Sequence, residues 1–392
     1  MSRRFKVVAL AAAAATAAGL TMAAPAASAG QARIGRITTK KVHLDWAGHR
    51  SAAETAALKA QPAAGTPIQE FSRTINDGGT NFTYTMIGKD PFVAQSKPAT
   101  KINTYLQPVR IQFSNGDFWD PTVADSCDAG ASALARTQNS PIFVAQKWSF
   151  GGTSVGKAQY VDAVQRAGFY DQTKPTGINP KYHVKLTLVT LPKLVINVPA
   201  NKSAEGSMGC ATGKFGAIEI NYWDSLVQNT LLPNMAAQGL TLKDFPLFLF
   251  GNVVMFDTVS SNCCILGYHF AKGTGATFQS YGNSMYDNTG LFTGSGDASV
   301  LTHEVSEWVN DPDGVNPTKP WGHIGQVGGC QTNLETGDPL SGTVFVDNLN
   351  GKAYHLQELA FYSWFYHQSP SQGVNGWFSN QGKFTVAANP CT

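Results

Sequence analysis

Asp297-Ala298-Ser299-Val300-Leu301-Thr302-His303-Glu304-Val305-Ser306-Glu307-Trp308-Val309-Asn310-Asp311-Pro312 carries the strongest pattern in this chain of 392 residues. Leu301, Val305 and Trp308 recur at the i, i+4, i+7 spacing of an amphipathic helix, and Asp311-Pro312 cannot continue it. Ser295 or Asp297 stands where a side-chain cap of the N-terminus belongs. Positions i and i+4 share a helix face, so His303 and Glu307 can bind one cation together while Glu304 sits beside it as a general base. These three residues lie off the apolar stripe and are expected to face a cleft. The plainer reading is a solvated helix face on which His and Glu pair with each other.

The pattern is H-E-x-x-E, whereas the familiar zinc-peptidase helix reads H-E-x-x-H. A carboxylate in the fifth position is still a zinc ligand, but it makes the site harder and less selective against manganese, magnesium or calcium. Further ligand types lie on both sides. Downstream, Cys330-Gln331-Thr332-Asn333-Leu334-Glu335-Thr336-Gly337-Asp338-Pro339 places two acids three residues apart among turn-forming residues. Upstream, Cys263-Cys264-Ile265-Leu266-Gly267-Tyr268-His269 ends a short apolar run on a histidine. Glu335 is the expected third ligand, with Asp338 supporting it or replacing it and His269 as a further alternative. Zn²⁺ or another divalent cation is the expected cofactor.

Thermolysin-type zincins take their third ligand from a glutamate well downstream with an aspartate close behind it. Glu335 and Asp338 resemble that pair, although Gly337 and Pro339 place it in a turn and not in a helix. Gly267-Tyr268-His269, the His303 to Glu307 helix running into an acid and a proline, a tryptophan, and Glu335-x-x-Asp338 near a cysteine occur in one order over residues 262 to 340. This order resembles the secreted plant phosphate-induced (Exordium-like) proteins and related bacterial secreted proteins with zincin-like helices. Those proteins carry the cysteine after the Glu-x-x-Asp element, whereas Cys330 precedes it here.

Arg3, Arg4 and Lys6, the Ala-rich stretch from Val7 to Leu20 and the small residues Ala27-Ser28-Ala29 read as a secretory signal peptide over residues 1–29. Those three basic residues account for the whole excess of 29 Lys and Arg over 26 Asp and Glu. A chain so close to neutral lacks the basic surface that nucleic acid or an anionic membrane requires. No other run is long and apolar enough to span a bilayer. Beyond the signal lie six cysteines, an even number that suits three disulfides in an oxidising compartment. Adjacent Cys263 and Cys264 are expected to take different partners, with Cys330 bonded to one of them beside His269.

Residues 30–66 read as a flexible Ala-rich segment, and residues 67–392 as a single zincin-like domain. Strands are predicted over Phe82 to Ile87, Leu106 to Phe113, Tyr182 to Leu191, Leu194 to Val198, Ala217 to Tyr222, Leu247 to Met255 and Thr343 to Asp347. Helices are predicted over Ala158 to Ala167, Ser225 to Gln238 and Leu356 to Tyr366, besides the metal helix. The expected class is α+β: a mixed sheet, a zincin-like metal helix and a C-terminal subdomain, stabilised by disulfides. Phe361, Tyr362, Trp364, Phe365 and Tyr366 crowd one segment and read as core. His323, His355 and His367 read as loop or surface residues, and His183 as a strand residue without a role.

Two functions follow from these residues. The first is a secreted metal-dependent hydrolase acting on protein or peptide, with Glu304 as general base. The second is a non-catalytic extracellular protein binding the cell wall or a glycan, its metal site structural or vestigial.

Overall fold

The computed structural model describes residues 65–388 except 97–98, 129, 211–212, 293 and 323–329, together with Cys391 and the pairs 8–9 and 35–36. Nearly all of the expected signal peptide and of the 30–66 segment, and His323, lie outside the described residues.

Strands β1 (Glu70–Asp77) and β2 (Thr80–Ile87) form a hairpin closed by Gly78-Gly79, both at the positive φ that a tight two-residue turn requires. Then follow β3 (Ala99–Phe113), helix α1 (Tyr160–Gly168), β4 (His183–Thr190), β5 (Leu194–Val198), β6 (Ser203–Ser207) and β7 (Lys214–Glu219). Helices α2 (Ile220–Leu226) and α3 (Leu232–Ala237) are joined by a π-helical turn over Val227–Leu231. Next come β8 (Phe245–Gly251), β9 (Val253–Phe256), β10 (Cys263–Lys272), β11 (Gln279–Tyr286) and α4 (Ser299–Asn310). Hairpins β12 (Pro317–Gly322) with β13 (Cys330–Asn333) and β14 (Val344–Leu349) with β15 (Lys352–Gln357) precede the single turn α5 (Tyr362–Phe365).

One large mixed sheet runs β5-β3-β8-β11-β10-β9-β7-β6, with β4 beside the first half of β3. Strand β8 lies parallel to both neighbours, and β10 antiparallel to both. The central strands are covered on both faces, which is why they read as continuous apolar runs and not as alternations. Along β8, Phe245, Leu247 and Leu249 join the core beneath α4, while Phe248 and Phe250 join the core beneath α2 and α3. Trp308 of α4 stacks on Phe245 with ring centroids 3.7 Å apart, and its indole N–H donates to Ser280 Oγ at 2.9 Å.

The mixed α+β sheet is as expected, and so is core status for the aromatic segment. Tyr362, Trp364, Phe365 and Tyr366 pack with Phe71, Tyr84 and Met86, so the C-terminal residues share a core with the β1–β2 hairpin. Three local expectations need correction. The run from Leu247 to Met255 is two strands, because Asn252 at φ 53° breaks it and sends β9 to a different place in the sheet. The strand expected over Ala217 to Tyr222 ends at Glu219, whose carboxylate accepts the Asn221 and Tyr222 N–H groups and starts α2. The helix expected over Leu356 to Tyr366 is instead the end of β15 followed by one turn. Asn350-Gly351, both at positive φ, is the hairpin signal that identifies β15 as a strand.

The disulfides also differ from expectation. Cys263 bonds to its neighbour Cys264, Cys330 bonds to Cys391, and Cys127 bonds to Cys210. The Cys330 bond therefore fastens β13 to the C-terminus and makes no link to β10. Three disulfides suit an oxidising compartment, and no helix among the described residues is long and apolar enough to cross a membrane. A non-reducing digest should yield Cys263 and Cys264 within one peptide and two cross-linked peptide pairs; a peptide joining Cys330 to Cys263 or Cys264 would contradict this pairing. Replacing Cys330 and Cys391 by serine should cost about 2–4 kcal/mol of stability, read by chemical denaturation.

Candidate metal centre

All twelve residues of α4 are buried, so it is not the half-exposed helix that its stripe implies. Leu301, Val305 and Trp308 face the sheet core; β10 of the sheet also lies against the helix, and β15 and the Glu335–Asp338 turn cover the rest of it. Neither expected cap is made: Ala298 occupies the N-cap position without a side-chain bond. Asp297 instead accepts the backbone N–H of Ala298 and of His355, and its second oxygen lies 2.7 Å from His355 Nδ1. The first residues of α4 are thereby tied to β15.

The approach of α4 to β10 depends on Gly267. A Cβ at that position would lie 2.7 Å from Glu304 Cγ and 2.9 Å from the Asn283 carbonyl, so only glycine lets the Glu304 side chain lie on the strand. Two residues on, His269 faces the same side, while Tyr268 between them turns to the opposite face and donates to Asp224 Oδ1 at 3.1 Å.

Each histidine has one ring nitrogen committed to a backbone or amide partner. His269 Nε2 donates to the Asp311 carbonyl at 2.8 Å, just where α4 ends. His303 Nδ1 lies 2.9 Å from Gln357 Oε1, and Gln357 Nε2 donates to the Gly337 carbonyl at 2.6 Å. A carbonyl can only accept, so the Gln357 amide nitrogen must face Gly337 and its oxygen must face His303. His303 Nδ1 is therefore the donor, and Nε2 of a neutral ring carries the lone pair. That atom stands 3.0 Å from Glu307 Oε2 and 3.5 Å from Asp338 Oδ1, in hydrogen-bond geometry with neither.

The acids are oriented in the same manner. Glu307 Oε1 accepts the backbone N–H groups of Gly337 and Asp338 at 3.0 and 3.1 Å, which leaves Oε2 toward the imidazoles. Glu335 Oε1 takes the Asn333 amide at 2.6 Å, and Asp338 Oδ2 takes the Gln331 amide at 2.6 Å. Glu335 Oε2 lies 3.7 Å from His269 Nε2, and His269 Nδ1 lies 3.8 Å from Glu307 Oε2. Supporting amides and carbonyls of this kind hold metal ligands in place in known metal sites. Two triads result, His303 with Glu307 and Asp338, and His269 with Glu307 and Glu335, each with its ligand atoms within 4.8 Å of one another.

Glu304 belongs to neither triad. It is 1% exposed, its Oε2 is 3.5 Å from His269 Nδ1, and neither of its oxygens has a hydrogen-bond partner. Burial, and then the negative charges of Glu307 and Asp338, push its carboxyl well above the ordinary range. Burial also raises Glu307. For His303, burial acts downward, but the carboxylates of Glu307, Asp338 and Glu304 outweigh it and hold the ring well above its usual value. The cluster thus has a strong appetite for positive charge, which protons or a cation can satisfy.

Every residue singled out in the sequence, His269, His303, Glu304, Glu307, Glu335 and Asp338, converges on this cluster. His355 pairs with Asp297, His367 with Asp77 and His183 with Asp162, all away from it. Gln357, Asp311, Gln331 and Asn333 were not legible, because isolated amides and a carbonyl carry no spacing signal. Comparison with family models, with curated proteins and with solved structures gives no significant match for this chain.

Two outcomes follow from the geometry. At Gly337 a Cβ would stand 2.5 Å from His303 Nδ1, and the ring is held by Gln357 and cannot give way. Gly337→Ala should therefore cost roughly 1–3 kcal/mol, as overpacked cores do, and displace His303, which denaturation and histidine NMR shifts would report. The bond to Asp297 raises the pKa of the partly exposed His355 above its usual 6.5. The folded state then holds its proton more tightly, so this contribution is full below about pH 6.5 and fades as pH climbs through the raised value. Unfolding measured across that window should lose this component of its pH dependence in His355→Asn.

Proposed function

We propose that this chain is an exported metal-binding protein whose buried cluster holds a divalent cation, zinc as first choice, on His303 Nε2, Glu307 and Asp338. The Gln357 relay carries this reading: it turns an imidazole lone pair into a ring of carboxylates, an arrangement favourable only around a proton or a cation. Zinc bonds of about 2.0–2.2 Å in a tetrahedron separate ligand atoms by about 3.3–3.6 Å. Of the separations around His303 Nε2, 3.5 Å falls in that range and 3.0 Å lies just below it. A carboxylate-rich shell also accepts manganese. Burial of all three ligands supports a structural role, in which the cation fastens α4 to the Glu335–Asp338 turn. Export is supported by the basic, apolar and small-residue order at the N-terminus together with three disulfides.

A second reading, a zincin-like hydrolase, is favoured by Glu304, whose unengaged carboxylate lies beside the cluster at the offset of a general base. A bound zinc would supply Lewis acidity and an acidified water there, and Glu304 would take the proton. Elemental analysis of the purified protein should find bound metal that His303→Ala with Glu307→Ala abolishes; equal metal in both would refute the ligand assignment. Zinc at a hundredfold excess over its Kd should raise stability by about 2.7 kcal/mol. Glu304→Gln should keep the metal. If the parent cleaves casein and Glu304→Gln does not, the hydrolytic reading holds; if the parent binds metal without cleaving, the structural one does.

A further inference from the structure

We infer that the cluster is built for two cations, bridged by Glu307, and not for one. This rests on the metal-binding reading above and extends it from His303 to His269. The two triads share a single residue. They also share a single atom, since Glu307 Oε2 faces His303 Nε2 at 3.0 Å and His269 Nδ1 at 3.8 Å, while Oε1 is held by the Gly337 and Asp338 N–H groups. An oxygen fixed between two imidazoles is the geometry of a bridging carboxylate. Each triad then has its own terminal acid, Asp338 beside His303 Nε2 at 3.5 Å in one and Glu335 in the other, where the ligand atoms of His269, Glu307 and Glu335 lie within 4.8 Å of one another.

The tautomers agree with this assignment. His269 gives its Nε2 proton to the Asp311 carbonyl, so the neutral ring offers Nδ1 to Glu307 and Glu304, as His303 offers Nε2 to Glu307 and Asp338. The buried Glu304 carboxylate, with neither oxygen hydrogen-bonded, lies 3.5 Å from that Nδ1 and is aimed into the second triad. Formal charge points the same way. Glu304, Glu307, Glu335 and Asp338 together bring four negative charges when ionised. One divalent ion leaves half of that buried charge; two balance it with both imidazoles neutral. Paired metal ions of this type sit about 3.5–4 Å apart and clamp an oxygen ligand between them.

The test uses the full-length exported protein, stripped with chelator and reloaded with Mn²⁺ or Zn²⁺. Elemental analysis should find two metals per chain, and the Mn²⁺ form should give an exchange-coupled electron paramagnetic resonance spectrum. His269→Ala and Glu335→Gln should each drop the count to one and leave an isolated Mn²⁺ signal. One metal per chain in the parent, unchanged by His269→Ala, overturns the pair but leaves the His303 site standing. Two metals without spin coupling overturn the Glu307 bridge. No metal at all would instead remove the reading on which the inference rests. The parent stoichiometry and spectrum decide the matter even if a variant fails to fold.

Discussion

Four carboxylates and two imidazoles buried between a helix and a sheet set the terms for the rest of this structure. Glu304, Glu307, Glu335 and Asp338 are each at most 2% exposed. Removing one ionised carboxylate from water costs several kcal/mol even after relaxation, and a folded domain is stable by only about 5–15 kcal/mol in all. Four such groups cannot stay ionised and uncompensated. The shell around them shows how part of the cost is met: backbone N–H groups on Glu307 and amides on Glu335 and Asp338. The remainder calls for protons or cations.

That demand explains local features that would otherwise look incidental. Gly267 lacks a side chain because Glu304 occupies the space, and Gly337 lacks one because His303 does. The end of α4 is placed so that the Asp311 carbonyl receives the His269 proton, while Asp311 Oδ1 accepts the Val315 and Asn316 N–H groups and turns the chain back toward Glu335. Gln357 closes the opposite side by linking His303 to Gly337. Strand, helix and turn thus meet at groups that would be costly to separate.

The surrounding layers keep this centre dry and rigid. Trp308 stacked on Phe245 seats α4 on the parallel part of the sheet, and the aromatic C-terminal segment closes over the β1–β2 hairpin. Cys330–Cys391 anchors the strand that leads into Glu335, and Cys263–Cys264 opens the strand that carries His269. Both disulfides lie on chain segments that deliver a ligand, yet neither joins the two segments to each other.

Read by itself, the sequence pointed to the mixed α+β class, to a minority of the strands, with those at His183–Thr190 and Leu194–Val198 nearest in extent, to the helix over Ser299–Asn310 and to the six polar residues that meet at its flank. Those signals are local: a 3.6-residue period, an apolar run, a ligand spacing of four. Tertiary structure decided what such signals do not carry. Helix α4 has a stripe like that of a surface helix, but β15 and the Glu335–Asp338 turn cover its other flank, so a presumed cleft became a buried centre. Cysteine pairing, the break at Asn252 and the roles of Gln357 and Asp311 depend on which distant segments become neighbours. The sharing of Glu307 between two histidines is of the same kind. His269 and His303 are 34 residues apart in the chain, and only the packing of α4 on β10 brings both rings to one carboxylate oxygen.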